Sequence, residues 1–291
     1  MFKNAVKIFT LNKFDIKVDP SWLLIAALIT WSLSRQYFPN VLPGQTSDVY
    51  LVMAIAATLC FFGSLLLHEL AHSVVARSYG VEIKSITLFL FGGVAELESE
   101  PQTAAVEFQV ALAGPVMSLA LAFGFWVFAG VVAMASMPAP IIEVLSYLSV
   151  INLVLALFNL VPAFPLDGGR VLRAYLWHRN GDILRATEMA ANSGAVFAYA
   201  LMALGLMALF QGATVTGLWH ILIGGFVLFA ARGSYQAQLM RSAFDGKTVK
   251  ALMTRDPVVV GPDMTLNDMV NLIMLKHRIS FVPVVEDRVL L

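Results

Sequence analysis

Two histidines and a glutamate, His68-Glu69-Leu70-Ala71-His72, stand in the apolar stretch LLLHELAHSVVA at residues 65–76. Histidines four apart share one face of a helix, so both imidazoles can meet a single metal ion. Glu69 lies one residue along, beside the ion but not needed as a ligand. A carboxylate there can take a proton from water that the metal makes acidic. A catalytic zinc needs three protein ligands and one open position. The motif is therefore one ligand short. Three polar groups satisfied by neighbouring helices are the ordinary alternative. In lipid each such group costs about 2.5–3.5 kcal/mol, so it needs a partner or a role.

The candidates for a third ligand are few. His220 falls at the outer end of an expected span, in the wrong leaflet. His277 belongs to a polar tail, and His178 follows Trp177 among arginines as an interfacial residue would. Asp167 is the best candidate. It sits in FNLVPAFPLDGGRVLRAYLW, where Pro162 and Pro165 interrupt a helix and Gly168-Gly169 permit an unusual backbone beyond it. Such a break lets a carboxylate turn inward at membrane depth. A capping aspartate at a loop–helix junction is the competing reading.

The elements that must carry these residues are apolar. Of 291 residues, 59% are hydrophobic and 13% charged, with a mean hydropathy of +0.78. A soluble domain has about 45–50% and about 25%. The class is a polytopic membrane protein. Zero net charge gives no sign of a nucleic-acid partner. The single cysteine, Cys60, excludes an intramolecular disulfide and reads as a buried small hydrophobe. Six spans are expected, at 21–38, 50–78, 104–136, 141–162, 187–210 and 214–232. With these spans, 18 of the 19 Lys and Arg fall on one side and only Arg35 does not. The positive-inside rule makes that side the cytoplasm, with both termini there. His68 lies nine residues before Arg77, about 14 Å along a helix. Asp167 lies three before Arg170. Both fall in the cytoplasmic half of the bilayer.

Residues 1–20 alternate Lys with apolar residues and have no A-x-A-like site. They read as a strand or interfacial segment, not a removed leader. Residues 81–100 alternate apolar and polar around Gly92-Gly93, which signals a two-residue hairpin turn. It is either a surface hairpin or a re-entrant one beside a site. Residues 233–246 read as a linker. Residues 247–291 read as a short strand, an amphipathic helix near 265–277 started by Thr265 and Asp268, and a strand at 280–285.

These motifs resemble known families. HELAH in one membrane helix and NLVPAFPLDGG in a later one are similar to the site-2 proteases, the intramembrane zinc metalloproteases. PSW opening the first span, FGGVAELE in the hairpin and ALAGPVMSL in the third span fit as well, and the resemblance covers about residues 10–232. The tail resembles the first part of a CBS domain, a regulatory module usually found in pairs. It stops before the module's remaining strand and helix, so the sequence reads as cut from a longer protein.

The resemblance implies one zinc held by His68, His72 and Asp167, with Glu69 as general base. It implies that Asn159, the Asn of N-x-x-P, holds substrate or stabilises the tetrahedral intermediate. An amide bonding a broken helix end is the plainer reading of Asn159. The hairpin with Gly92 and Gly93 gains a role too, since its edge could pair with an unwound substrate strand. Ser118 stands where the family often has Asn, which weakens any polar role there.

The expected fold is thus an α-helical polytopic membrane protein. It has six transmembrane helices and a re-entrant β-hairpin in a core over 21–232, plus a partial α/β CBS module at 247–291. The expected activity is hydrolysis of peptide bonds in or near the membrane segments of a single-span regulator, such as an anti-sigma factor or a tethered transcription factor. A nucleotide could bind a complete CBS pair, though its contacts lie mostly in the part missing here, and CBS pairing could form a homodimer. Two rivals remain. A CBS-regulated channel or transporter could use intramembrane His, Glu and Asp along an ion path, but the spans lack an obvious repeated half. A non-catalytic zinc scaffold would keep the ligands without needing Glu69.

Overall fold

A computed structural model describes residues 5–11, 14–81, 83–89, 92–97, 101–286 and 289–290. The chain divides into two units, Met1–Met240 and Arg241–Leu291.

The first unit pairs a small sheet with a helical bundle. Strands β1 (Val6–Leu11) and β2 (Phe14–Val18) form a hairpin, so most of the basic N-terminal segment is strand. β2 runs parallel to β3 (Ile83–Phe89), which pairs antiparallel with β4 (Gly92–Leu97). The order β1-β2-β3-β4 leaves β4 at one edge. Alternation along β2 sends Phe14 and Ile16 inward. They pack with Ile86, Ala76, Val81 and Val110. Arg77, at the end of the metal-motif helix, lies 3.5 Å from the centre of the Phe14 ring. The sheet is thereby fixed to the helix that carries the histidines.

The hairpin differs from its expected register. Phe89 pairs with Gly92 and Leu88 with Gly93. Both glycines therefore belong to β4, and the two-residue connection is at 90–91, outside the described residues. Apolar Leu90-Phe91 does not read as a turn, whereas Gly-Gly does.

Among the described residues, five helices are long and apolar enough to cross a membrane: α3 (Ser47–Ser78), α4 (Ala104–Met134), α5 (Ala139–Asn159), α7 (Ile183–Phe210) and α8 (Thr214–Phe244). The expected 21–38 span is a continuous helical run in three pieces. These are α1 (Ser21–Ser32), a π-turn at Leu33–Tyr37 and α2 (Phe38–Val41). Asp19 starts it, its carboxylate accepting from the backbone N–H and the hydroxyl of Ser21. Residues 233–244, expected as linker, continue α8. Their sequence GSYQAQLMRSAF lowers hydropathy while keeping good helix formers. Cys60 is exposed on α3, not buried. A membrane helix turns apolar residues outward as readily as inward, so an apolar neighbourhood does not imply burial by protein.

The short helix α6 (Asp167–Asn180) follows the proline-broken segment and packs on α4 and α7. α3, α4 and α5 pack together, with polar links between them. One link runs from the Asn152 amide to Ser64 Oγ at 3.3 Å. Such bonds join helices where burial alone gives little drive.

In the second unit, α9 (Val249–Leu252) precedes a parallel bridge between Val260 and Val284. A helical run follows Thr265, comprising α10 (Leu266–Asp268), a π-turn at Met269–Met274 and α11 (Leu275–His277). The expected helix start is present: Thr265 Oγ1 accepts from the Asp268 backbone N–H and donates to its carboxylate. β5 (Val285–Glu286) and β6 (Val289–Leu290) close the unit.

Candidate metal centre

α3 presents His68 and His72 on one buried face, 2% and 6% exposed. Their Nε2 atoms lie 3.2 Å apart. Asp167, the first residue of α6, brings Oδ2 to 3.2 Å from each. The three atoms form an equilateral triangle. Ligands about 2.0 Å from a tetrahedral zinc stand about 3.3 Å apart, so the triangle has the size of one face of that tetrahedron.

The donor chemistry fits a cation as well. His72 Nδ1 lies 2.6 Å from the Val110 carbonyl. A carbonyl only accepts, so Nδ1 carries the proton and a neutral ring leaves a lone pair on Nε2. His68 Nδ1 lies 2.9 Å from Ser118 Oγ. With its proton on Nδ1, this ring too turns a lone pair inward. A carboxylate oxygen completes three acceptors with no donor between them. They can face one another at this distance only around a positive charge. Among the described residues this is the one group of three or more such side chains. His178 and His277 are exposed, and His220 bonds to the Thr216 carbonyl in its own helix.

The break before α6 does the aiming. The Phe164–Pro165 bond is cis. Gly168 and Gly169 lie against the backbone of Leu160 and of Phe164, where a Cβ would collide. Without side chains there, the chain can fold back and point Asp167 into the bundle.

α4 contributes what sequence reasoning missed. Val110 and Ser118 orient the two imidazoles. Ser118 was expected to have a weakened polar role, but its hydroxyl meets His68. The shorter side chain suffices because α4 passes close by. A Cβ on Gly114 would meet Nε2 of both histidines. Only glycine leaves room there. Pro115 removes the N–H that would bond the Ala111 carbonyl and opens the turn before it. The neighbouring Val110 carbonyl is the one that reaches His72. The AGPVMS segment was the available signal, seen only as a family likeness.

A cavity of about 570 Å³ opens onto the triangle. His68, Glu69, His72, Gly93, Asn159 and Asp167 all line it. A Cβ on Gly93 would lie 2.5 Å from Glu69 Cγ, so β4 passes directly over the glutamate. Gly92 starts β4 opposite Phe89. Six of the candidates thus border one chamber.

Known proteins agree with this chemistry. The model of peptidase family M50 matches residues 56–138 and 128–204, and that of the CBS domain matches 249–291. Rip3 of Mycobacterium tuberculosis, named among the zinc metalloproteases, is 40% identical over 284 residues, covering 98% of this chain and 72% of its own. Protein sll0528 of Synechocystis, similarly named, is 35% identical over 88% of this chain and 66% of its own. The solved site-2 protease from Methanocaldococcus jannaschii superposes with a TM-score of 0.54 at 29% identity, covering 79% of this chain and 95% of that one. The chain belongs to peptidase family M50, the site-2 proteases. It is a multi-pass membrane zinc metalloprotease with a CBS segment behind its core.

Proposed function

We propose that His68, His72 and Asp167 hold the zinc and that Glu69 is the general base. The buried triangle of three facing acceptors carries this reading. When bound, zinc polarises a carbonyl and makes water acidic near neutral pH. Glu69 takes the proton of the attacking water and returns it to the departing amide nitrogen. Asn159, at the end of α5, donates from its amide to the developing oxyanion. The β4 edge, with Gly93 over Glu69, holds an unwound substrate segment by strand addition. An extended segment exposes its peptide bonds, which an intact helix shields.

The membrane arrangement belongs to the same proposal. The Ser21–Val41 run is a sixth span, and the β3–β4 hairpin is re-entrant. Both termini face the cytoplasm, and the site lies in the cytoplasmic half of a cell membrane. The functional division is 1–20, a core over 21–232, and a CBS segment from 247. The substrate is a single-span regulatory protein, such as an anti-sigma factor or tethered transcription factor. A nucleotide at a complete CBS pair and a homodimer are further partners.

The test is cleavage of a single-span substrate by the purified zinc-loaded chain, with and without chelator. Chelator-sensitive cleavage is expected. Metal-dependent ion flux without cleavage would favour a channel or transporter. A full zinc complement in Asp167→Ala would remove Asp167 from the ligand set.

A further inference from the structure

Glu107, Val110, Gly114 and Ser118 recur at steps of three and four along α4, so they share one helix face. All four are buried, Glu107 and Ser118 completely. Val110 meets His72, Ser118 meets His68, and Gly114 clears space at both rings. Glu107 reaches elsewhere, to Arg173 of α6. Arg173 donates from Nε to Glu107 Oε1 at 2.6 Å, and its Nη2 meets the same oxygen. Arg173 is itself only 6% exposed, with its guanidinium 5.2 Å from the centre of the Phe164 ring. Asp167 begins the same short helix, six residues earlier.

We infer that the Glu107–Arg173 pair positions the third metal ligand. α4 grips α6 through this pair and so sets the Asp167 carboxylate against the two imidazoles that α4 itself orients. The inference rests on Asp167 being a ligand. Burying an ionised pair costs desolvation, and apolar side chains of similar volume often hold two helices as firmly. What an arginine–carboxylate contact adds is a fixed direction and distance. The cost is visible in Glu107 Oε2, which is buried without a hydrogen-bond partner among the described residues. Both arms of the site then refer to one helix. The histidines are keyed to α4 directly, and the aspartate is keyed through Arg173.

The decisive variant replaces both charges with apolar groups, Glu107→Leu with Arg173→Met. Purified full-length chain is loaded with zinc, and its release to a chromogenic chelator is timed beside its melting temperature. Cobalt loading adds a visible spectrum that reports the ligand geometry. With chelator present the double variant should melt no lower than wild type, yet once loaded it should retain zinc about 10–100-fold less well, with a shifted cobalt spectrum. A folded double variant with wild-type zinc release and spectrum overturns the inference. If it does not fold, Arg173→Lys decides, since it keeps the charge and loses the planar fork. Faster zinc release is expected there, and wild-type release overturns the inference. Asp167→Ala separates the two levels. If it keeps zinc, the ligand assignment fails. If it loses zinc while the double variant holds it, only the positioning role fails.

Discussion

Glu69→Gln keeps the shape of the side chain and removes its basicity. Cleavage should fall by about 10²–10⁴-fold, the usual contribution of a placed general base. Elemental analysis should still find zinc, because His68, His72 and Asp167 are untouched. Wild-type cleavage by this variant would dismiss the base assignment. Gly114→Ala should act on the metal instead. Its methyl enters the space between the two Nε2 atoms, so zinc should be lost, with a stability cost of about 1–3 kcal/mol from overpacking. Retention of zinc by a folded Gly114→Ala would show that α4 can draw back. At this scale the sequence is readable where a side chain is what lines the site. His68, Glu69 and His72 declare themselves by spacing, and Asp167 by the proline and glycine break around it. Val110 acts through its carbonyl, which every residue has. Gly114 acts by lacking an atom. Neither role leaves a mark that a single sequence can show.

The hairpin shows the same division among the elements. Alternation over 81–100 announces two strands, yet the register depends on which residues make the turn. The pairing of Phe89 with Gly92 and of Leu88 with Gly93 puts Gly93 in β4, over Glu69. Gly93→Ala should therefore push Glu69 aside. Zinc should remain, while kcat falls about 10²-fold, the cost of a misplacement near 1 Å. Unchanged kcat would mean that the strand yields instead. The long helices were legible to within a few residues, because a run of about 20 apolar residues is hard to mistake. The end of α8 was not. Hydropathy reports lipid contact, and helix propensity continues past it. The π-turn at Leu33–Tyr37 has no sequence signal that we can name.

At the scale of the molecule, the metal should act as a structural bond between α3 and α6. The proposed ligands on these two helices are 95 residues or more apart in sequence. Zinc that binds only the folded chain stabilises it by about 2.7 kcal/mol at a hundred times Kd. Thermal unfolding in detergent should show a higher midpoint with zinc than with chelator, and His72→Ala should abolish the difference. An equal midpoint in both would mean that α6 is held without help. The parallel pairing of β2 with β3 joins segments about 70 residues apart. It could not be read from the sequence, since strand patterns name a face but not a partner.

The triangle of acceptors also sets a rule of charge balance. Three lone pairs 3.2 Å apart will not tolerate a vacancy. When a chelator withdraws the metal, the smallest available cation is a proton, and metal exchange becomes an ion swap. Calorimetric titration of zinc into the stripped protein should then give heats that depend on the buffer. The dependence on buffer ionisation enthalpy should correspond to about one proton released per zinc. Identical heats in every buffer would mean that the triangle opens rather than takes up a proton.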